Sequence, residues 1–116
     1  MGIRSDVFFA HKASVVLPQE YADMLVNRFG AEVISHSEGT AYSMEYVKWH
    51  PELDEQLIQF YNFLENNVDF NDFTVIEACL DYPENTDGDS GKWYNNPWGA
   101  SRYVRTGIEF DKSPAA

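Results

Sequence analysis

Hydrophobic and polar positions divide the chain into short segments whose periods differ. Val7, Phe9, Ala13 and Val15 alternate with Asp6, Lys12 and Ser14, the two-residue period of a strand. Phe8 and Ala10 add apolar positions on the opposite side, so the first half of this strand is predicted to be buried on both faces. Pro18 then opens a helix whose Tyr21, Met24, Leu25 and Phe29 share a face, and Gly30 stands where a left-handed C-terminal cap is wanted. Residues Glu32 to Ser37 and Thr40 to Trp49 form a predicted hairpin across Glu38 and Gly39. Tyr42, Met44 and Tyr46 fall on one face of it, and Ala41, Ser43, Glu45 and Val47 on the other. A second helix starts at Pro51, with Glu52, Asp54 and Glu55 set against the positive end of its dipole. Its apolar stripe is Leu53, Leu57, Phe60, Tyr61, Leu64 and Val68, and its wet side carries Asp54, Glu55, Gln59, Asn62, Glu65 and Asn66. Phe73 to Leu80 and Tyr103 to Phe110 complete the pattern as strands.

The resulting order is strand, helix, strand, strand, helix, strand, with one strand appended. This predicts an α+β fold of the ferredoxin-like split βαβ type (βαββαβ), an antiparallel sheet with two helices on one face and an added C-terminal strand. The second sheet face stays open unless a partner or a long loop covers it. At 116 residues the chain is expected to form one domain, residues 1–116, with a core large enough to dispense with metal or disulfide support. Lys112 to Ala116 is expected to fray.

Charge changes the picture. The net charge is −11, and between Trp49 and Gly91 there are eleven acids and no lysine or arginine. Such a surface repels nucleic-acid phosphates and anionic membranes and favours basic protein partners. The single cysteine, Cys79, lies in an apolar run and is expected to be a small core residue in a reducing compartment. With no leader or apolar span of about 20 residues, the cytoplasm is the expected location.

Chemistry-bearing motifs are sparse. The connection from Asp81 to Arg102 is rich in Pro, Gly, Asn and Asp, and longer than most connections within compact domains. Its acids Asp81, Glu84, Asp87 and Asp89 are of the type that binds hard cations. The calcium-loop template nevertheless fails: setting Gly88 at its sixth position puts Pro83 first and Tyr94 twelfth. Trp93, Tyr94 and Trp98 serve either to cover the domain itself or as an exposed anchor surface. His11, His36 and His50 are dispersed, and GDSG (Gly88 to Gly91) stands outside any nucleophile context. No metal site, cofactor or enzymatic constellation is expected. The acids are assigned to the surface.

The opening GIRSDV, the segment VKWHPELDEQLIQFYNFLE from Val47 to Glu65, and FTVIEACLDYPENTDGD resemble small acidic proteins encoded by tailed bacteriophages and related mobile elements. The resemblance implies host takeover or counter-defence, in which such proteins bind and block a host protein. Carboxylates spread over a helix and a loop suit imitation of nucleic-acid phosphates in the basic groove of a host nucleic-acid-handling or defence protein. The expected contact set is Asp54, Glu55, Glu65, Asp69, Asp72, Asp87 and Asp89, with Trp93 and Trp98 as anchors. One alternative is a binder of a signal nucleotide using Arg4, Lys12, Arg102 and Arg105, and another is a metal-dependent enzyme. An open sheet face or edge is compatible with a homodimer.

Overall fold

In a computed structural model of the chain, residues 3–82, 84, 88–103 and 107–115 are described, Tyr103 by its backbone alone. Strand β1 (Ser5–Lys12) runs through the centre of an antiparallel sheet, and Val7 to Ala10 are buried on both of its sides. It ends before Val15, which lies in the connection to the first helix. Helix α1 (Gln19–Asp23) continues as a π-helical turn, Met24–Arg28, closed by the Phe29 N–H donating to the Met24 carbonyl at 3.2 Å. That wider turn places Phe29 with Met24 and Leu25 in the core, and Gly30 adopts the left-handed conformation at φ 68°.

Strands β2 (Glu32–His36) and β3 (Gly39–Val47) form a hairpin that turns at Ser37 and Glu38, one residue earlier than the sequence suggests. The His36 ring accepts the Glu38 N–H at 3.0 Å and secures that turn. The predicted alternation in β3 holds for Tyr42 and Met44 and then breaks. Val7 pairs with Met44 but Ser5 with Val47, so three residues of β3 oppose two of β1. The resulting bulge sends Val47 into the core and leaves Tyr46 on the surface.

Helix α2 (Glu55–Asn67) begins after Asp54, not at Pro51. Asp54 accepts the Leu57 N–H at 3.3 Å as the N-cap, and Pro51 to Leu53 form a preceding turn in which Leu53 is 78% exposed. Leu57, Phe60, Tyr61 and Leu64 are buried, as their spacing predicts. A 3₁₀ turn (Phe70–Asp72) leads into β4 (Phe73–Cys79), where Cys79 is buried. Two-residue strand β5 (Ser90–Gly91) follows, and then β6 (Ser101–Tyr103) and β7 (Gly107–Glu109) pair with each other in a separate sheet. The single strand expected over Tyr103 to Phe110 is therefore a hairpin. The main sheet has the order β2-β3-β1-β4-β5 with every neighbouring pair antiparallel.

Two aromatic layers sandwich this sheet. Under the helices, Phe9 stacks on Tyr42 at 5.6 Å and meets Phe60 edge-on at 5.1 Å, while Trp49 packs against Phe29 and Tyr61. On the other face Phe8, Ala10 and Ala41 are covered by Trp93, Trp98, Ile108 and Phe110. The long connection thus serves as the second layer, tied to β4 by the Trp93 N–H bonding the Phe73 carbonyl at 3.0 Å. The described C-terminal residues also make contacts with β2. Lys112 bonds Glu32 at 2.9 Å and the His36 ring meets the Ala115 carbonyl at 3.1 Å, so the described part of the segment expected to fray lies against β2.

Candidate functional site

The acids predicted to form one contact surface are put to several different uses. Asp54 is occupied as the helix cap and by a two-pronged interaction with the Arg28 guanidinium. That guanidinium holds the Asp54 carboxyl below its ordinary pKa and is itself raised in return. Asp69 caps the 3₁₀ turn through the Asn71 N–H at 2.8 Å, and Asp72 pairs with Lys12 at 3.2 Å. Asp89 accepts the Glu77 backbone N–H at 2.9 Å and pairs with Arg102, whose guanidinium also donates to the Glu77 carbonyl. Both edge-facing backbone groups of Glu77 are thereby satisfied by side chains, which closes this part of β4 to further strand pairing. Asp87 lies outside the described residues. Glu55 is exposed, and Glu65 is exposed and accepts the Ser90 hydroxyl at 3.1 Å.

Trp93 and Trp98 are 3% and 1% exposed. They are core residues of the second layer, so an anchor surface built on them is ruled out. The apolar residues Phe8, Ala10 and Ala41 on the second face needed cover from within the chain.

Glu77, counted with the surface acids, is only 4% exposed. Its side chain points to the helix-covered face, where it accepts the Ser5 hydroxyl at 2.5 Å. Burial raises its pKa against the opposing effect of that bond. Nearby, the Tyr61 hydroxyl accepts the Trp49 indole N–H at 2.9 Å and donates to the Gly88 carbonyl at 2.5 Å, and burial drives its pKa upward. These bonds join β1 to β4 and α2 to the acidic connection, and the Glu77 side chain packs against Gly88 between the two pairs.

Two grooves bear on the acidic surface. The first, about 320 Å³, is lined by Pro51, Glu52, Ile58, Tyr61, Asn62 and Glu65. Carboxylates of Glu52 and Glu65 flank a partly exposed Ile58 there, an arrangement suited to a Lys or Arg side chain with its stem on the isoleucine. Glu65 belongs to the expected contact set and Glu52 does not. The helical spacing of residues 58, 61, 62 and 65 marks the α2 side of this groove, whereas Glu52 comes from the turn before the helix and has no periodic signal. The second groove, about 330 Å³, includes Asp69, Asp72, Phe63 and Val16.

The cations proposed for a nucleotide are not assembled together. Lys12 and Arg102 are engaged by Asp72 and Asp89, and Arg105 lies outside the described residues. Arg4 instead lies with Arg28 and Lys48 around a third groove of about 260 Å³ that also includes Phe29, Tyr46 and Val47. Among the described residues no group of three His, Cys, Asp or Glu is placed to hold a metal ion. No helix among them is long and apolar enough to cross a membrane. Comparisons with protein-family models, curated proteins and solved structures find no match to this chain.

Proposed function

We propose that this chain is an acidic protein-binding module that inhibits a bacterial host's nucleic-acid-handling or defence protein, in the manner of small phage-encoded proteins. The groove carrying Glu52, Ile58 and Glu65 supports this reading most directly, because it joins carboxylates to an apolar floor at the outer side of α2. The contact set is narrower than the acid count suggests: Glu52, Glu55 and Glu65 lead, with Asp69 beside the second groove. Asp54, Asp72 and Asp89 contribute to the field but are engaged internally. The partner surface is basic, and the net charge of −11 speeds encounter with it.

The fold is assigned within this reading as a ferredoxin-like split βαβ. The β2-β3-β1-β4 order and the two intervening helices support the assignment. The two-residue β5 and the β6–β7 hairpin are additions that cover one edge and one face.

Affinity capture from bacterial lysate tests the function with the wild type and a Glu52→Gln, Glu55→Gln, Glu65→Gln variant, which spares the Asp54 cap. A basic nucleic-acid-handling protein is expected on the wild type at low salt, released as salt rises and absent from the variant. Equal retention by both proteins, or retention indifferent to salt, removes the charge-complementarity account.

A further inference from the structure

The acidic surface leaves unexplained the third groove, where Tyr46 has φ 55°, the one non-glycine residue with positive φ among the described residues. A bulge at this point favours glycine, because a β-carbon in the left-handed region meets its own backbone. Tyr46 is instead held there by the Asp6 carboxylate, which accepts its N–H at 2.9 Å. The outcome is an aromatic ring that is 64% exposed, with the Arg4 guanidinium 5.2 Å from its centroid. Strained backbone of this kind is concentrated at binding and catalytic sites, where the presented side chain is what justifies the strain.

The charge around this ring runs against that of the whole molecule. Three of the eight lysines and arginines line the groove, and no acid among the described residues does. Arg28 is neutralised by Asp54 next to it, but neither Arg4 nor Lys48 forms an ion pair with another described residue. The Arg4 guanidinium lies over one face of the Tyr46 ring as a cation–π contact, and that exposed ring with Arg4 and Lys48 around it suits a ligand with a planar ring and one anionic group. We propose that the groove of Arg4, Tyr46 and Lys48 binds a nucleoside monophosphate, its base stacked on Tyr46 and its phosphate held by Arg4 and Lys48. The groove's volume of about 260 Å³ suits one nucleotide. The net charge of −11 disfavours a polynucleotide, whose many phosphates meet the field of the entire surface, whereas a single phosphate meets mainly the local cations. This site is independent of the acidic face of α2.

Amide-resolved NMR titration of the full chain with AMP tests the proposal, with inorganic phosphate, adenosine and a short single-stranded oligonucleotide as comparison probes. AMP is expected to shift the amides of Arg4, Tyr46, Val47 and Lys48 and to saturate with a Kd of about 1 mM or tighter. Phosphate and adenosine should each bind at least about tenfold more weakly than AMP. Tyr46→Asn, whose side chain tolerates the left-handed conformation, should keep the wild-type melting temperature yet bind AMP at least about tenfold more weakly. Tyr46→Phe should retain binding, and the Arg4→Gln, Lys48→Gln double variant should lose it. The proposal is overturned by shifts located elsewhere or absent, by phosphate binding as tightly as AMP, by preference for the oligonucleotide, or by undiminished binding in the folded Tyr46→Asn protein.

Discussion

Single residues decide where elements begin and which acids remain available. Pro51 and Asp54 both signal a helix start, and Asp54 prevails because its carboxylate bonds the Leu57 N–H and is gripped by Arg28. Asp54→Ala is therefore expected to destabilise the fold by about 1–2 kcal/mol in chemical denaturation, with Asp54→Asn less damaging because it can still cap. An Ala variant as stable as the wild type would remove the capping role. Glu77 gives a prediction of opposite character. Burial raises its folded-state pKa, so the folded chain holds this proton to higher pH than the unfolded chain does. Between the ordinary carboxylate range and that raised value the native state binds more protons, and this contribution to stability declines as pH rises. Glu77→Gln can still accept the Ser5 hydroxyl without carrying the charge. It should be close to the wild type in stability near about pH 4 and more stable by about pH 8. A stability difference that stays constant with pH, followed by urea unfolding, would contradict a charged, buried Glu77.

At the scale of elements, the connection after β5 determines whether the sheet has one covered face or two. Trp98 sits between Phe8, Trp93 and His36, so Trp98→Ala should cost about 3–5 kcal/mol, the range for removing a large buried aromatic. Tyr94, exposed in the same connection, should change stability by no more than about 0.5 kcal/mol when replaced by Ala. Similar melting temperatures for the two variants would mean that this aromatic layer is not core. Much of the architecture was legible from periodicity: the buried face of α2, the hairpin and the doubly buried β1 all follow from spacing. The second layer was legible only as one of two readings of Trp93 and Trp98, cover or anchor, because they lie in irregular backbone that has no period to decide between them; the apolar Phe8 and Ala10 pointed to the need for a cover. Tyr46 was misplaced for a related reason. Alternation assigns it to the face of Tyr42 and Met44, and a bulge of one residue, invisible in composition, inverts every assignment after it. Of the candidate site, the acidic helix face was legible in outline, whereas the internal commitments of Asp54, Asp72 and Asp89 depend on cations distant in sequence.

For the whole molecule, salt should act with opposite signs on folding and on partner binding. Nineteen acids face eight lysines and arginines, and four ion pairs form among the described residues, so most carboxylates repel one another across the surface. Raising the ionic strength from about 0.01 M to about 0.15 M shortens the screening length from about 30 Å to about 8 Å. That step removes most of the repulsion between distant acids, while close pairs such as Lys12 with Asp72 contribute too little for their weakening to offset it. The melting temperature is accordingly expected to rise, on the order of a few degrees. The same screening acts against a basic partner, whose attraction to Glu52, Glu55 and Glu65 crosses water before contact, so association should slow and weaken over the same step. Melting curves and partner association measured on one salt series separate two origins of the charge. Stabilisation accompanied by weakened association fits an acidic face used for recognition. Stabilisation with unchanged association would reduce the acid excess to a solvated surface and transfer recognition to the apolar or cationic grooves.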